Sequence, residues 1–86
     1  MTYSVVWSIF ALQEIARVEH AVPNPTAVRD AASCIEFALR RYPGDMGESR
    51  SPGFRIWYED VLGVFYRIDE NRLRVEILFA GPARRR

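Results

Sequence analysis

Apolar residues recur with period two from Gly53 to Ala80, GFRIWYEDVLGVFYRIDENRLRVEILFA, and with helical spacing in two segments before it. In the C-terminal stretch Phe54, Ile56 and Tyr58, then Leu62, Val64, Tyr66 and Ile68, then Leu73, Val75, Ile77 and Phe79 alternate with other positions, which predicts three strands closing one face on a core. Glu59-Asp60 and Asp69-Glu70-Asn71 punctuate them as turns, so the strands form a meander. The same alternation assigns Arg55, Trp57, Phe65, Arg67, Arg72 and Arg74 to the opposite, open face. A merely solvated face has no need of Trp57 and Phe65, so this side is expected to meet a partner.

Upstream, Tyr3, Val5 and Trp7 alternate with Ser4 and Val6 as a short first strand, and Ser8 is placed to cap a helix beginning at Ile9. Ala11, Ile15 and Val18 share one face of that helix, which should run to about His20. Val22-Pro23-Asn24-Pro25 interrupts it, and Asn24 followed by Pro25 is a helix start with proline at the first helical position. Val28, Ala31, Ile35, Ala38 and Leu39 then line an apolar stripe that stops at Pro43-Gly44. The polar segment from Asp45 to Pro52 reads as a loop between helix and sheet. The predicted fold class is α+β: an N-terminal strand, an antiparallel two-helix hairpin on one sheet face, and a three-stranded antiparallel meander. It occupies a single domain over residues 1–86, with a short basic tail at 81–86.

Composition narrows the chemistry. A hydrophobic share of 49% belongs to a globular chain, and no apolar run approaches the ~20 residues of a bilayer span, so no membrane association is expected. The first residues lack a basic leader and are interrupted by Ser4 and Ser8, which reads as strand entering helix; the expected location is the cytoplasm. Cys34 is the single cysteine, compatible with a reducing compartment and expected to be a plain buried thiol. No His, Cys or carboxylate cluster has metal-ligand spacing, and GDMGES lacks the phosphate-loop pattern and its lysine, so neither metal nor cofactor is expected. All 12 basic residues are arginine. Met1 to Ser49 carries four of them against six acids, net −2, whereas Arg50 to Arg86 carries eight against five, net +3. The meander half is the basic half, but a total of +1 is weak for a protein that grips a polyanion by counterion release.

The order of elements and the local motifs resemble the RelE/ParE superfamily of toxins from bacterial type II toxin–antitoxin systems, also called plasmid-stabilisation proteins. The resemblance runs through YSVVWSIFALQEI, the Asn-Pro-initiated helix ending FALRRYPGDMGESR, then GFRIWY, VFYRID and ENRLRVEIL. It implies a growth-inhibiting toxin held inactive by a cognate antitoxin that lays extended or helical segments across it, in a toxin–antitoxin hetero-oligomer. It also implies one of two targets, messenger RNA cut in the ribosomal A site (RelE-like) or DNA gyrase inhibited without RNA cleavage (ParE-like).

RelE-like nucleases resemble one another in basic residues on the strand matching Phe54 to Tyr58, an arginine three positions before the tyrosine matching Tyr66, and often a His or Tyr near the C-terminus. Arg55 matches the first feature; Gly63 occupies the second position, and LFAGPARRR has neither His nor Tyr. Attack by a 2′-hydroxyl needs a proton acceptor, stabilisation of the phosphorane charge and a proton donor. Arg55 and Arg67 are the candidate catalytic residues for the second task alone, because an arginine stays protonated. The departures favour the ParE-like branch. The endonuclease stays open as the alternative, as does a non-toxic relic that keeps only antitoxin binding. The expected partner-binding residues are Arg55, Trp57, Phe65, Arg67, Arg74, Arg84, Arg85 and Arg86.

Overall fold

The computed structural model describes residues 2–83, so Arg84, Arg85 and Arg86 lie outside the described residues. The chain runs β1 (Ser4–Trp7), α1 (Ile9–Ala21), α2 (Pro25–Arg41), a 3-10 turn (Pro43–Asp45), β2 (Glu48–Ser51), β3 (Phe54–Glu59), β4 (Leu62–Asp69) and β5 (Arg74–Pro82). Both helices start where their caps predict. The Ser8 hydroxyl accepts from the Ala11 amide at 3.0 Å and donates to the Leu78 carbonyl at 2.6 Å, so one side chain caps α1 and ties it to β5. Asn24 accepts from the Thr26 amide at 3.2 Å, ahead of Pro25 at the first position of α2.

The five strands form one mixed sheet in the order β1-β5-β4-β3-β2. β1 lies parallel to β5, with Val5 opposite Val75 and Trp7 opposite Ile77, while the remaining neighbours are antiparallel. One face is closed by the helices. Ala11 and Val18 of α1, Val28, Ala31, Ile35 and Leu39 of α2, and Leu62, Val64, Tyr66, Val75 and Ile77 of the sheet form the buried cluster. All four buried positions of α2 belong to the stripe read from the sequence.

The structure corrects several expectations. The segment from Asp45 to Pro52 is not all loop, because Glu48–Ser51 adds β2 as a wholly exposed edge strand beside β3. β3 presents its faces the other way round. Residues directly opposite in an antiparallel pair share a face, and Arg55 stands opposite Tyr66, Trp57 opposite Val64 and Glu59 opposite Leu62. Arg55 and Trp57 therefore point to the helix side, whereas Phe54, Ile56 and Tyr58 join Phe65 and Arg67 on the open side. In β5 the register slips between Phe65 and Tyr66, which face Phe79 and Ile77, so Leu78 is the extra residue of a bulge. That bulge turns Phe79, expected in the core, onto the open face with 57% of its surface exposed. Leu73 belongs to the turn, at φ 49°, and not to the strand. Cys34 is exposed on α2.

Candidate functional site

The open face is built around a row of rings. Phe54, Phe65 and Phe79 come from β3, β4 and β5, with centroids 5.7 Å apart for the first pair and 6.4 Å for the second. Phe10, in the first turn of α1, extends the row at 6.3 Å from Phe79. Such separations suit offset aromatic contacts. Beside the row, Gly63 and Gly81 stand opposite one another and leave a pit of about 210 Å³. Ile56, Tyr58, Phe65, Phe79 and Pro82 surround it. The Tyr58 ring lies so close over Gly63 that a Cβ there would meet it at 2.7 Å. Too small for a typical small-molecule site, the pit has the dimensions of a single side chain.

Two ion pairs engage charges at this face. Arg67 of β4 forms a cross-strand ion pair and hydrogen bond with Glu76 of β5, which raises the guanidinium's pKa above its already high ordinary value. Arg74 stands opposite Asp69 in the register, but the Asp69 carboxylate is held by Arg72 at 3.1 Å. Of the residues expected to meet a partner, Phe65, Arg67 and Arg74 are thus brought together on the open side.

Arg55 and Trp57 are separated from them by the thickness of the sheet. Arg55 donates through Nε to the Met46 carbonyl at 2.7 Å and through Nη2 to the Gly47 carbonyl at 3.0 Å. The Tyr66 hydroxyl lies 2.8 Å from the Pro43 carbonyl and 3.0 Å from that of Met46, both within reach of its proton. Burial pushes the Tyr66 phenol's pKa up, with the nearby Arg55 guanidinium opposing the shift. Together these two side chains fasten the segment between α2 and β2. Trp57 packs against the core beneath Gly47, where its Cβ would lie 2.8 Å from any added Cβ.

A second surface, absent from the sequence reading, lies on the helix side. Trp7, Leu12, Ile15, Ala32 and Phe37 floor a groove of about 650 Å³, with Arg29, Arg40 and Arg41 around it. Arg29 pairs with Glu19 at 2.9 Å, Arg40 with Glu36 at 2.6 Å, and the Arg41 guanidinium sits 4.1 Å from the Phe37 ring centre. Glu36 accepts from the Trp7 indole at 2.9 Å. That bond first, then Arg40, holds the carboxyl below its ordinary range against the opposing effect of burial. The signal was available in Leu12 and Phe37, apolar residues off the predicted core stripes.

Among the described residues no group of three or more His, Cys, Asp and Glu is placed to hold a metal, and no helix is long and apolar enough to cross a membrane.

Neither a protein-family model nor a curated protein matches the chain. Solved structures do. The chain is similar to a chain of the toxin–antitoxin complex RelBE2 of Mycobacterium tuberculosis, at TM-score 0.74 and 21% identity over 96% of this chain and 93% of that one. It is similar to a chain of the chromosomal ParDE system of P. aeruginosa, at TM-score 0.74 and 16% identity over 95% and 97%. A third is the isolated E. coli RelE toxin, at TM-score 0.71 and 14% identity over 98% and 87%. The fold is that of the RelE/ParE toxins, and both branches are represented at similar scores.

Proposed function

We propose that this chain is the toxin of a toxin–antitoxin pair, acting in the cytoplasm on a protein target in the ParE-like manner, with DNA gyrase as that target, and neutralised by a cognate antitoxin. The carrying observation is the chemistry of the open face. An RNA-cleaving surface needs unpaired cations beside groups that move protons. Here the face offers stacked phenylalanines and a pit, Arg67 is engaged by Glu76, and Arg55 is turned away to hold loop carbonyls. Aromatic anchors and side-chain-sized pits are what protein interfaces use for affinity. Phe65, Phe79 and Tyr58 are the contacts assigned to the target, with Arg67 and Arg74 at the rim.

The antitoxin is assigned to the helix-side groove. Its apolar floor and three arginines, against Glu19 and Glu36, leave a local charge of +1 and suit an amphipathic segment with an acidic edge. Tightly induced expression in a bacterial host, with thymidine and amino-acid incorporation followed from the first minutes, tests the target. Early loss of DNA synthesis with a DNA-damage response is the expected result. Early loss of protein synthesis would instead establish the ribosome-dependent endonuclease, and undisturbed growth with soluble protein present would leave only antitoxin binding.

A further inference from the structure

Gly81 is a glycine that the fold does not need. It sits inside β5, opposite Gly63 of β4, on the open side of the sheet. Gly63 has a local reason to lack a side chain, because the Tyr58 ring lies across it and leaves a Cβ no room. Gly81 has none. Its backbone is outside the left-handed region, the register is regular from Phe79 to Pro82, and a Cβ built on it would meet no atom within 4 Å. Glycine weakens a strand, so one that no bulge, bend or crowding explains marks a place where another molecule comes close.

The walls of the pit define what comes. The space left over the two facing glycines is about 210 Å³, less than the ~300–1,000 Å³ of small-molecule sites. Ile56, Tyr58, Phe65, Phe79 and Pro82 surround it, and the Tyr58 hydroxyl is the one polar side-chain group among those five. A phosphate, a carboxylate or the polar edges of a nucleobase would be desolvated there without partners, whereas an aliphatic or aromatic side chain gives up nothing. Charge describes the surroundings of that side chain. Arg72, not Arg74, holds Asp69, which leaves Arg74 without an acidic partner among the described residues. At the pit's own end Ala83 is fastened to the Val61 carbonyl at 2.9 Å, and Arg84, Arg85 and Arg86 follow it in the sequence, against Glu59 and Asp60 of the neighbouring turn. Both ends of the face therefore carry positive charge in excess, which suits carboxylates on the incoming segment.

We infer that the pit is the anchor site for one aliphatic or aromatic side chain of the protein target, carried on a segment with acidic residues, and that Gly81 keeps the site open. The site's role rests on the function proposed above. Phe65 and Phe79 then form the ring of contacts that shuts water out around a central anchor.

Tightly induced expression in a bacterial host without any partner, with thymidine and amino-acid incorporation read at matched levels of soluble protein, tests this in three variants. Gly81→Leu and Gly81→Val fill the pit. Gly44→Leu, in the turn after α2, adds a side chain where a Cβ likewise meets nothing within 4 Å but away from the pit. The wild-type chain should stop DNA synthesis, and both Gly81 variants should need roughly tenfold or more protein for the same effect. Gly44→Leu should match the wild type. Thermal melts of the purified variants should show Gly81→Leu and Gly81→Val no less stable than the wild type, since both side chains suit a strand better than glycine does. Folded Gly81 variants that inhibit as the wild type does overturn the anchor site and leave the proposed function standing. A lower melting temperature in both makes Gly81 a structural residue and overturns it as well, as does an equal loss in folded Gly44→Leu. A wild-type chain that leaves growth undisturbed, or stops protein synthesis first, removes the protein target, and the anchor site falls with that function.

Discussion

Replacing Arg55 by methionine separates a structural arginine from a catalytic one. The side chain makes two hydrogen bonds to backbone carbonyls, at 2.7 Å to Met46 and 3.0 Å to Gly47. Hydrogen bonds from a charged donor are each worth ~1.5–3 kcal/mol. Two reductions apply here: the guanidinium is only half-buried, and the Met46 carbonyl keeps the Tyr66 hydroxyl within 3.0 Å. The expected loss is therefore about 2 kcal/mol rather than the sum of two full bonds. In a domain of this size 1 kcal/mol moves the thermal midpoint by ~4–8 °C, so the variant should melt ~8–16 °C earlier. Urea unfolding read by tryptophan fluorescence and far-ultraviolet circular dichroism gives the free energy, and an unchanged m-value would show that the denatured state is the same. Under the function proposed, growth inhibition should fall only in proportion to folded protein. Unaltered stability together with abolished growth inhibition would refute the reasoning, since Arg55 would then act on a substrate and not on the loop.

Gly47→Ala should be more damaging, because at φ 64° the added Cβ would lie 2.1 Å from the Ile56 carbonyl oxygen, a backbone atom that cannot rotate away; soluble yield and urea midpoint should both collapse. Leu39→Ala, in a fully buried position of α2, should cost ~2–5 kcal/mol in urea unfolding, against almost nothing for Ser33→Ala on the exposed side. Glu36 has a folded pKa depressed by the Trp7 indole, so its contribution is complete above the unfolded carboxylate value of about 4.3 and is lost as pH falls through the lower folded value. Unfolding free energies measured through the acid range should therefore decline less steeply in Trp7→Phe, even though that variant starts from a lower plateau.

Periodicity located most of this fold. Ser8 and Asn24 mark helix starts in the sequence, and the stripe from Val28 to Leu39 is the buried stripe of α2. Strand faces were harder, because hydrophobicity and connectivity disagree in β3. Phe54, Ile56 and Tyr58 look like the inner set, but a turn confined to Asp60 and Val61, with Asp60 at φ 51°, obliges Glu59 to share a face with Leu62. Every residue of β3 is fixed by that parity. The arginine this sends inward is tolerable because the Met46 and Gly47 carbonyls await it, and they come from a segment whose shape no local pattern encodes. The Leu78 bulge is equally silent in the sequence, yet it puts Phe79 outside. The residues of the open face were thus legible in kind, aromatic and arginine together, and only partly legible in identity.

The parallel pairing of β1 with β5 bears on the birth of the molecule. Ser4 meets Arg74 and Trp7 meets Ile77, so the sheet is closed by residues from opposite ends of the chain, at an entropic cost on the order of 4 kcal/mol for a loop of this length. Such distant pairing is a late and slow event. The core helices rest on β4 and β5, which leave the ribosome after them, so α1 and α2 emerge with no sheet to cover their apolar stripes. The nascent chain is uncovered and vulnerable until β5 arrives, and within that interval proteases and early-binding partners decide how much folded protein accumulates.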